Sequence, residues 1–194
     1  MNFLQYLLFL VLVLALLISI YWGIYNYLIE VKNNVSNAYA NIDVQLKKRY
    51  NLIPSLVNSV KEYMKYEKET LEKLTSLRSD AISNKTQSGD RLALDKEISQ
   101  TLGSIMVSVE NYPVLKSNKN FLQLQETLNE VELNISASRR TFNQYVKNYN
   151  STIDMFPFVY IARNLNLQKI KYFEALLEEK KTPNIQELFN KKNG

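Results

Sequence analysis

The sequence predicts an all-α fold, with an N-terminal transmembrane helix followed by a bundle of helices. Three observations support this prediction. Residues 1–29 contain no charged side chain, and apolar residues then recur at alternating intervals of three and four. Only 4 Gly and 4 Pro occur among 194 residues, which leaves little material for strands and tight turns.

The N-terminal segment has the length and composition of a membrane span. Residues 3–20 are predominantly Leu, Val, Ile, Phe and Ala, and a spanning helix needs about 20 apolar residues. Four aromatic residues follow where an interfacial belt would lie: Tyr21, Trp22, Tyr25 and Tyr27. A cleaved signal peptide would have a basic segment before the apolar run and a small-residue cleavage site after it, and neither is present. We therefore expect residues 3–29 to contact membrane lipid.

The charges around the span predict its orientation. Lys32, Lys47, Lys48 and Arg49 follow the apolar segment, and no basic residue precedes it. The positive-inside rule therefore favours a single-pass protein of the cell membrane with its bundle in the cytoplasm. Large domains can be translocated regardless of flanking charge, so the opposite orientation stays open.

The composition also bears on the class of function. The chain has no Cys and no His, so it lacks thiols, disulfides and the commonest metal ligand. Its net charge of +5 arises from 24 basic and 19 acidic residues that are interspersed, which does not indicate nucleic-acid binding. Carboxylate-bridged metal sites of helical bundles combine Glu with His. We therefore expect a non-enzymatic protein without catalytic, cofactor-binding or metal-binding residues.

The first two bundle helices are predicted from one apolar stripe. Six apolar or small residues share a helical face at steps of four and three: Ile24, Leu28, Val31, Val35, Ala38 and Ile42. This spacing predicts a first helix that runs to about Arg49. Asn51 is a candidate N-cap for a second helix, with Pro54 in its first turn. The stripe stays nearly in phase across Pro54, so one long kinked helix, and with it a three-helix bundle, is the alternative.

Two further helices follow a polar loop at residues 83–90. The third helix shows its apolar face over residues 94–112 and ends before Pro113. The fourth helix has the longest seam, at steps of three and four: Phe121, Leu124, Leu128, Val131, Ile135, Ser138, Phe142, Tyr145 and Tyr149. Residues 166–181 predict a weaker amphipathic helix, and the remaining tail is expected to be loosely ordered. We therefore divide the chain into an anchor (1–29), a bundle (30–165) and a C-terminal segment (166–194).

A short apolar segment, MFPFVYIA at residues 155–162, separates the fourth helix from the C-terminal segment. If the helices alternate in direction, the fourth one ends near the membrane, so this segment could dip into the membrane interface. It could also cover the end of the bundle, which is the favoured interpretation, or bind a partner. Its candidate interaction residues are Phe156, Pro157, Phe158, Tyr160 and Ile161.

The stretch IDVQLKKRYNLIPSLV at residues 42–57 resembles the hallmark of the LemA family. Other stretches are similar as well, at residues 25–26, 33–40, 60–78, 110–125 and 139–162. The sequence departs from the family pattern at Phe142, where Tyr is usual, and at Tyr66, where His is common. The resemblance implies an up-and-down four-helix bundle behind an N-terminal anchor, and it implies little about activity.

Asp43 and Arg49 lie in this hallmark and are candidate structural polar residues. Asp43 could form half of a buried polar pair that fixes helix register. The alternative is an exposed pair with Lys47, four residues further along the helix.

These observations predict a membrane-anchored, non-enzymatic helical-bundle protein that acts as an interaction or scaffold module. Its partner would be a protein that the sequence does not identify, and homo-oligomerisation stays open. The alternative is a sensor or binding module that holds a small molecule or lipid in the bundle core.

Overall fold

In the computed structural model the described residues are 3–83 and 88–173, and all regular structure among them is helical. The helices are α1 (Phe3–Val60), α2 (Lys68–Ile82), α3 (Ser88–Val109), α4 (Pro113–Lys116), α5 (Lys119–Asp154) and α6 (Phe158–Asn164). The prediction of an all-α fold is confirmed. The number of helices that pack side by side stays a prediction.

The chain divides into two compact units. We call residues 39–138 the central unit, and residues 1–38 together with 139–194 the terminal unit. Helices α1 and α5 each contribute residues to both units. The division into anchor, bundle and C-terminal segment stays a prediction.

The first part of α1 is apolar and unpacked. Among the described helices, α1 alone is long and apolar enough to cross a membrane, and none of its 18-residue apolar window is buried. Leu12 and Trp22 are 66% and 61% exposed, whereas Leu28 is fully buried at 0%. The first fully buried residue of α1 therefore lies at the end of the predicted span.

Each unit has an apolar core built from the predicted helical stripes. In the terminal unit the core residues are Leu28, Val31, Val35, Ala38, Phe142, Val146, Tyr149, Ile153, Ile161 and Ala162. The predicted seam of α5 is wrong at one position, because Val146 is buried at 0% while Tyr145 is 38% exposed. A step of four from Phe142, then three to Tyr149, keeps the smaller side chain inside.

The predicted helix boundary at Asn51 is wrong, since α1 continues through Pro54 to Val60. A proline inside a helix cannot donate its hydrogen bond to the carbonyl four residues earlier, which here belongs to Tyr50. Arg78 of α2 supplies a replacement, because its Nε donates to the Tyr50 carbonyl oxygen at 2.7 Å. The helix is therefore continuous through Pro54, as the alternative predicted, but it ends at Val60 and residues 68–82 form a separate helix.

Residues 61–67 connect α1 with α2, and this connection contains no Gly or Pro. Met64 lies in this connection and is fully buried, and its amide donates to the Val60 carbonyl at 2.9 Å. The N-cap residue of α2, Glu67, makes no capping bond with its side chain. The end of α1 therefore coincides with the burial of Met64, and not with a helix-breaking Gly or Pro.

The helix predicted to begin at Asn166 does not form over residues 167–173, and the rest of that prediction, with the tail, lies outside the described residues. Asn166 adopts a left-handed conformation with φ of 50°. The Asn166 amide donates to the Arg163 carbonyl and the Leu167 amide to the Ala162 carbonyl, each at 3.0 Å. This pair of bonds is the Schellman motif, in which Asn substitutes for the usual Gly. Asn166 therefore terminates α6.

Candidate functional site

The apolar turn at residues 155–161 divides into buried and exposed parts. Ile161 is 9% exposed and belongs to the core of the terminal unit, and Pro157 is half-buried. Phe156 and Tyr160 are 78% and 67% exposed, and their rings pack perpendicular to each other at 6.1 Å. A role in covering the core explains why Ile161 is buried. It does not explain why Phe156 and Tyr160 are apolar although they are exposed. An interaction role for these residues stays a prediction.

Phe158 connects this turn with α1. Its ring centroid lies 5.3 Å from that of Tyr27, the last aromatic residue of the predicted interfacial belt. Both residues belong to the terminal unit. The turn therefore lies beside the part of α1 at which its exposed apolar segment ends.

Residues 168–173 run along α5 and are held there by two asparagines. Asn150 donates from Nδ2 to the Ile170 carbonyl and accepts the Ile170 amide at Oδ1, both at 2.9 Å. Asn143 forms the same pair with Phe173, at 2.9 and 2.7 Å. The spacings agree, because seven helical residues rise about 10.5 Å and three extended residues span about 10 Å. We call residues 168–173 the strap.

Other side chains support the strap. The Tyr149 hydroxyl donates to the Gln168 carbonyl at 3.1 Å, and burial raises the pKa of Tyr149. Phe142 packs edge-on against Phe173 at 6.1 Å. Lys169 lies 2.7 Å from the Asp154 carboxylate, and this hydrogen bond raises the pKa of Lys169. The aromatic ring at position 142 thus packs without needing the hydroxyl that the family usually carries.

A buried arginine organises polar contacts inside the central unit. Arg49 is 1% exposed, and its Nη2 is paired with the carboxylate of Asp95 on α3. Its Nη1 donates to Ser99 Oγ at 2.8 Å and to Glu132 Oε2 at 3.0 Å. Because charge-assisted bonds from the rigid guanidinium fix geometry as well as charge, this network joins α1, α3 and α5 in one register.

The structure places the two predicted polar residues differently. Arg49 is the buried one, and its buried carboxylate partner is Asp95, which the sequence did not single out. Asp43 is half-buried and lies six residues earlier on α1. Asp95 lies three residues before Ile98, on the apolar face of the third helix, and this position could have indicated a buried carboxylate. Periodicity does not identify which basic residue pairs with it.

A surface groove lies where the end of α1 meets α2. It has a volume of about 430 Å³ and is lined by Val57, Lys61, Met64, Lys65, Lys68, Leu71, Glu72 and Thr75. Its floor is apolar, since Met64 and Leu71 are 0% and 5% exposed. Three of the lining residues are lysines and one is a glutamate, which lies 3.7 Å from Lys68. The groove therefore combines an apolar floor with a cationic rim.

The connection between α1 and α2 also contacts Tyr112, which lies between α3 and α4. The Tyr112 hydroxyl donates to Glu67 Oε2 at 2.8 Å. This hydrogen bond raises the pKa of Tyr112, and burial and the charge of Glu67 act in the same direction. Sequence reasoning missed this contact because the two residues are far apart in the chain.

Comparison with known proteins agrees with the motif resemblance. A model of the LemA family matches residues 38–186. The chain is 28% identical to Protein LemA of Metamycoplasma hominis over 185 residues, which are 95% of this chain and 84% of that protein. It is also 29% identical over 82 residues to Magnetosome protein MamQ of Magnetospirillum gryphiswaldense, covering 42% of this chain and 30% of that protein. A match to Magnetosome protein MamQ 2 of Paramagnetospirillum magneticum has 29% identity over 83 residues, 43% of this chain and 30% of that protein.

The magnetosome proteins are thus matched over less than a third of their length, whereas the family model extends over most of this chain. It includes the hallmark around Arg49 and Pro54, and the two asparagines that hold the strap. From this coverage we conclude that the chain belongs to the LemA family.

Proposed function

We propose that this LemA family protein is a membrane-anchored, non-enzymatic interaction module. In this proposal residues 3–29 of α1 span the membrane, and the helical units bind a partner protein on the cytoplasmic side. The observation that carries the proposal is the exposed apolar segment of α1, none of whose 18-residue window is buried, in a helix that continues to Val60. Such a segment is costly in water and is stable in a bilayer.

Several features support an interaction role over catalysis. The chain has no His or Cys to serve as general base or thiol nucleophile. The buried Arg49 is engaged with Asp95, Ser99 and Glu132, contacts that hold helices together. The exposed faces of α2 carry charged residues such as Lys73, which suit reversible protein contacts.

Membrane anchoring is tested by alkaline carbonate extraction of membranes that contain the full chain. We expect the protein to stay in the membrane pellet. Replacing Leu12 by Lys places a charge near the middle of the span, at a cost of about 2.5–3.5 kcal/mol, and should increase extraction. Leu133→Lys is the matched control, because Leu133 is 71% exposed on α5. Release of the unmodified protein by carbonate would contradict the anchor.

The interaction role is tested by a photo-crosslinking residue at Lys73 or Lys61 in cells. We expect one reproducible protein adduct, which disappears when charges near the crosslinking position are reversed. A reporter at the C-terminus establishes the side of the membrane, with cytoplasmic signal expected. If only uncrosslinked protein is recovered from both positions, the interaction role is wrong.

A binding module for a small anionic amphiphile is the second candidate function, and the groove between α1 and α2 favours it. Its volume of about 430 Å³ is typical of small-molecule sites. The apolar floor suits an acyl chain and the three lysines suit a carboxylate. This site lies at the surface of the central unit and not along a bundle core.

A photoreactive dodecanoate tests this second function on the full chain in lipid nanodiscs. Mapping by mass spectrometry should find label at residues 57–75, and Lys65→Glu should reduce it. Lys73→Glu is the matched control, since Lys73 lies on α2 but does not line the groove. Label confined to residues 3–29 would show partition into the bilayer and would refute a groove site.

A further inference from the structure

The apolar turn at residues 155–161, which includes the start of α6, presents exposed apolar side chains that the core of the terminal unit does not use. Met155, Phe156 and Tyr160 are 56%, 78% and 67% exposed. Two of them form a perpendicular aromatic pair. Exposed apolar groups that lie side by side, and not singly, indicate a contact surface.

The position of the turn along α1 indicates what contacts this surface. If a hydrocarbon core of about 30 Å takes up residues 3–22, Tyr27 lies five residues further, about 7.5 Å beyond it. The headgroup layer on each side of the bilayer is about 5–8 Å thick. Tyr27 is therefore at the depth of the lipid headgroups, and its ring holds Phe158 there at 5.3 Å.

The packing within the terminal unit indicates that the turn is its part nearest the bilayer. Full burial on α1 begins at Leu28, and residues up to Trp22 are exposed except for a half-buried Val13. The turn contacts α1 at Tyr27, just before full burial begins. Between Trp22 and Tyr27, α1 is half-buried only at Ile24 and Tyr25.

The charges around the turn agree with a lipid surface. Residues 154–173 contain one acidic residue, Asp154, and three basic ones, Arg163, Lys169 and Lys171. Asp154 is paired with Lys169 at 2.7 Å, which offsets the one negative charge. The remaining positive charge suits anionic headgroups, and aromatic rings such as Tyr160 are favoured at this depth.

From this juxtaposition we propose that Met155, Phe156 and Tyr160 insert into the interface of the same bilayer that α1 spans. The protein then has a second membrane contact, which restrains the terminal unit against the bilayer surface. This inference rests on the proposed anchor, since only a spanning α1 puts Tyr27 at headgroup depth. The occupant of the surface is lipid, and a second copy of the chain is the competing outcome.

The natural sequence provides the reference probe for a test, because Trp22 is its one tryptophan. The full chain is reconstituted into vesicles of phosphatidylcholine and phosphatidylglycerol, with or without bromine on the upper part of the acyl chains. Quenching of Trp22 by the brominated lipid reports insertion of α1. The inference itself is tested with Phe156→Trp, or with Tyr160→Trp if the first variant folds poorly, each in a Trp22→Phe background.

We expect tryptophan at position 156 to lose emission in brominated vesicles and to emit at shorter wavelength than in water. Tyr145→Trp in the same background is the matched control, since this aromatic residue is 38% exposed and lies about 15 Å before Met155 along α5. It should keep its emission. Both readouts use exposed positions, so neither needs a change in the core.

The possible results separate the inference from the anchor on which it rests. Quenching of Trp22 without quenching at position 156 would overturn the inference and leave the anchor intact. If neither Trp22 nor tryptophan at position 156 is quenched, both the anchor and the inference are overturned. Tryptophan at position 156 could instead emit at shorter wavelength without being quenched by brominated lipid, and to an extent that depends on protein concentration. This result would assign the surface to a second copy of the chain and would also overturn the inference.

Discussion

The bond from Arg78 to the Tyr50 carbonyl compensates for Pro54, and this compensation can be measured. Arg78→Met removes the Nε donor, which lies 2.7 Å from the carbonyl oxygen. A hydrogen bond from a charged group contributes about 1.5–3 kcal/mol, and the lower half of that range applies because Arg78 is only half-buried. We therefore expect Arg78→Met to lower the free energy of unfolding by about 1.5–2 kcal/mol.

Arg78→Met should lower the free energy of unfolding by less when residue 54 has an amide N–H that can donate a hydrogen bond. Pro54→Ala restores an amide N–H four residues after Tyr50, so the carbonyl regains its helical partner. In that background the loss of Arg78 leaves no buried acceptor unpaired. The double-mutant cycle should give a coupling free energy of about 1 kcal/mol. Changes that Pro54→Ala makes to the unfolded chain cancel in the cycle.

The assay is equilibrium urea unfolding of the full chain in detergent micelles, followed by circular dichroism at 222 nm. Four proteins are compared: the native sequence, each single variant and the double variant. Lys73→Met is a matched control on α2, because its side chain is exposed and should change stability little. If the two substitutions add without coupling, Arg78 does not compensate for Pro54.

Three further predictions concern the other polar contacts. Arg49→Met should lower the free energy of unfolding by about 3–5 kcal/mol, because it leaves the buried Asp95 carboxylate without its cation. Asn150→Asp should speed hydrogen exchange of the Ile170 amide about tenfold, since it puts a carboxylate oxygen against the Ile170 carbonyl and loosens the strap. Tyr112→Phe should lower the midpoint of thermal unfolding at neutral pH. Because the pKa of Tyr112 is raised in the folded state above 10.0, that difference should persist below pH 10 and shrink as the pH rises through the folded pKa.

Each of these predictions has its own control. Adding Asp95→Leu to Arg49→Met should recover much of the lost stability, and failure to do so would mean that the charge pair is not the cause. Asn148→Asp places the same charge on an exposed position of α5, so equal acceleration of exchange there would exclude a specific clamp. A difference between Tyr112→Phe and the native protein that stays constant up to high pH would contradict the raised pKa.

Much of the fold follows from the spacing of apolar residues. The stripe from Leu28 to Ile42 is buried where the sequence predicts, and so is most of the seam that begins at Phe121, with Leu124 and Ser138 half-buried. The period of 3.6 residues puts such side chains on one face of a helix, whatever that face packs against. At Tyr145 this reasoning failed by one position, because Tyr145 and Val146 both satisfy the same period and only the structure shows that Val146 is the buried one.

The candidate sites were less predictable. The apolar turn was recognised from its composition, but the separation of buried Ile161 from exposed Phe156 needs coordinates. The partner of Arg49 lies on a different helix, and an ion pair between distant segments leaves no trace in local periodicity. The asparagines of the strap had a readable signal, a spacing of seven residues that puts both on one helical face.

By itself, the sequence determined that this protein is helical and that its first segment is apolar enough to cross a bilayer. Both properties depend on local periodicity and on the length of an uncharged run, which need no knowledge of neighbours. Only the tertiary structure showed that α1 passes through Pro54 and ends at Val60. Inside α1, the hydrogen bond that Pro54 cannot make to the Tyr50 carbonyl is replaced by one from Arg78 on another helix. The end of α1 coincides with the burial of Met64 in the connection that follows. A backbone hydrogen bond lost at one residue can be replaced from anywhere in space, so only the folded chain shows which breaks are tolerated.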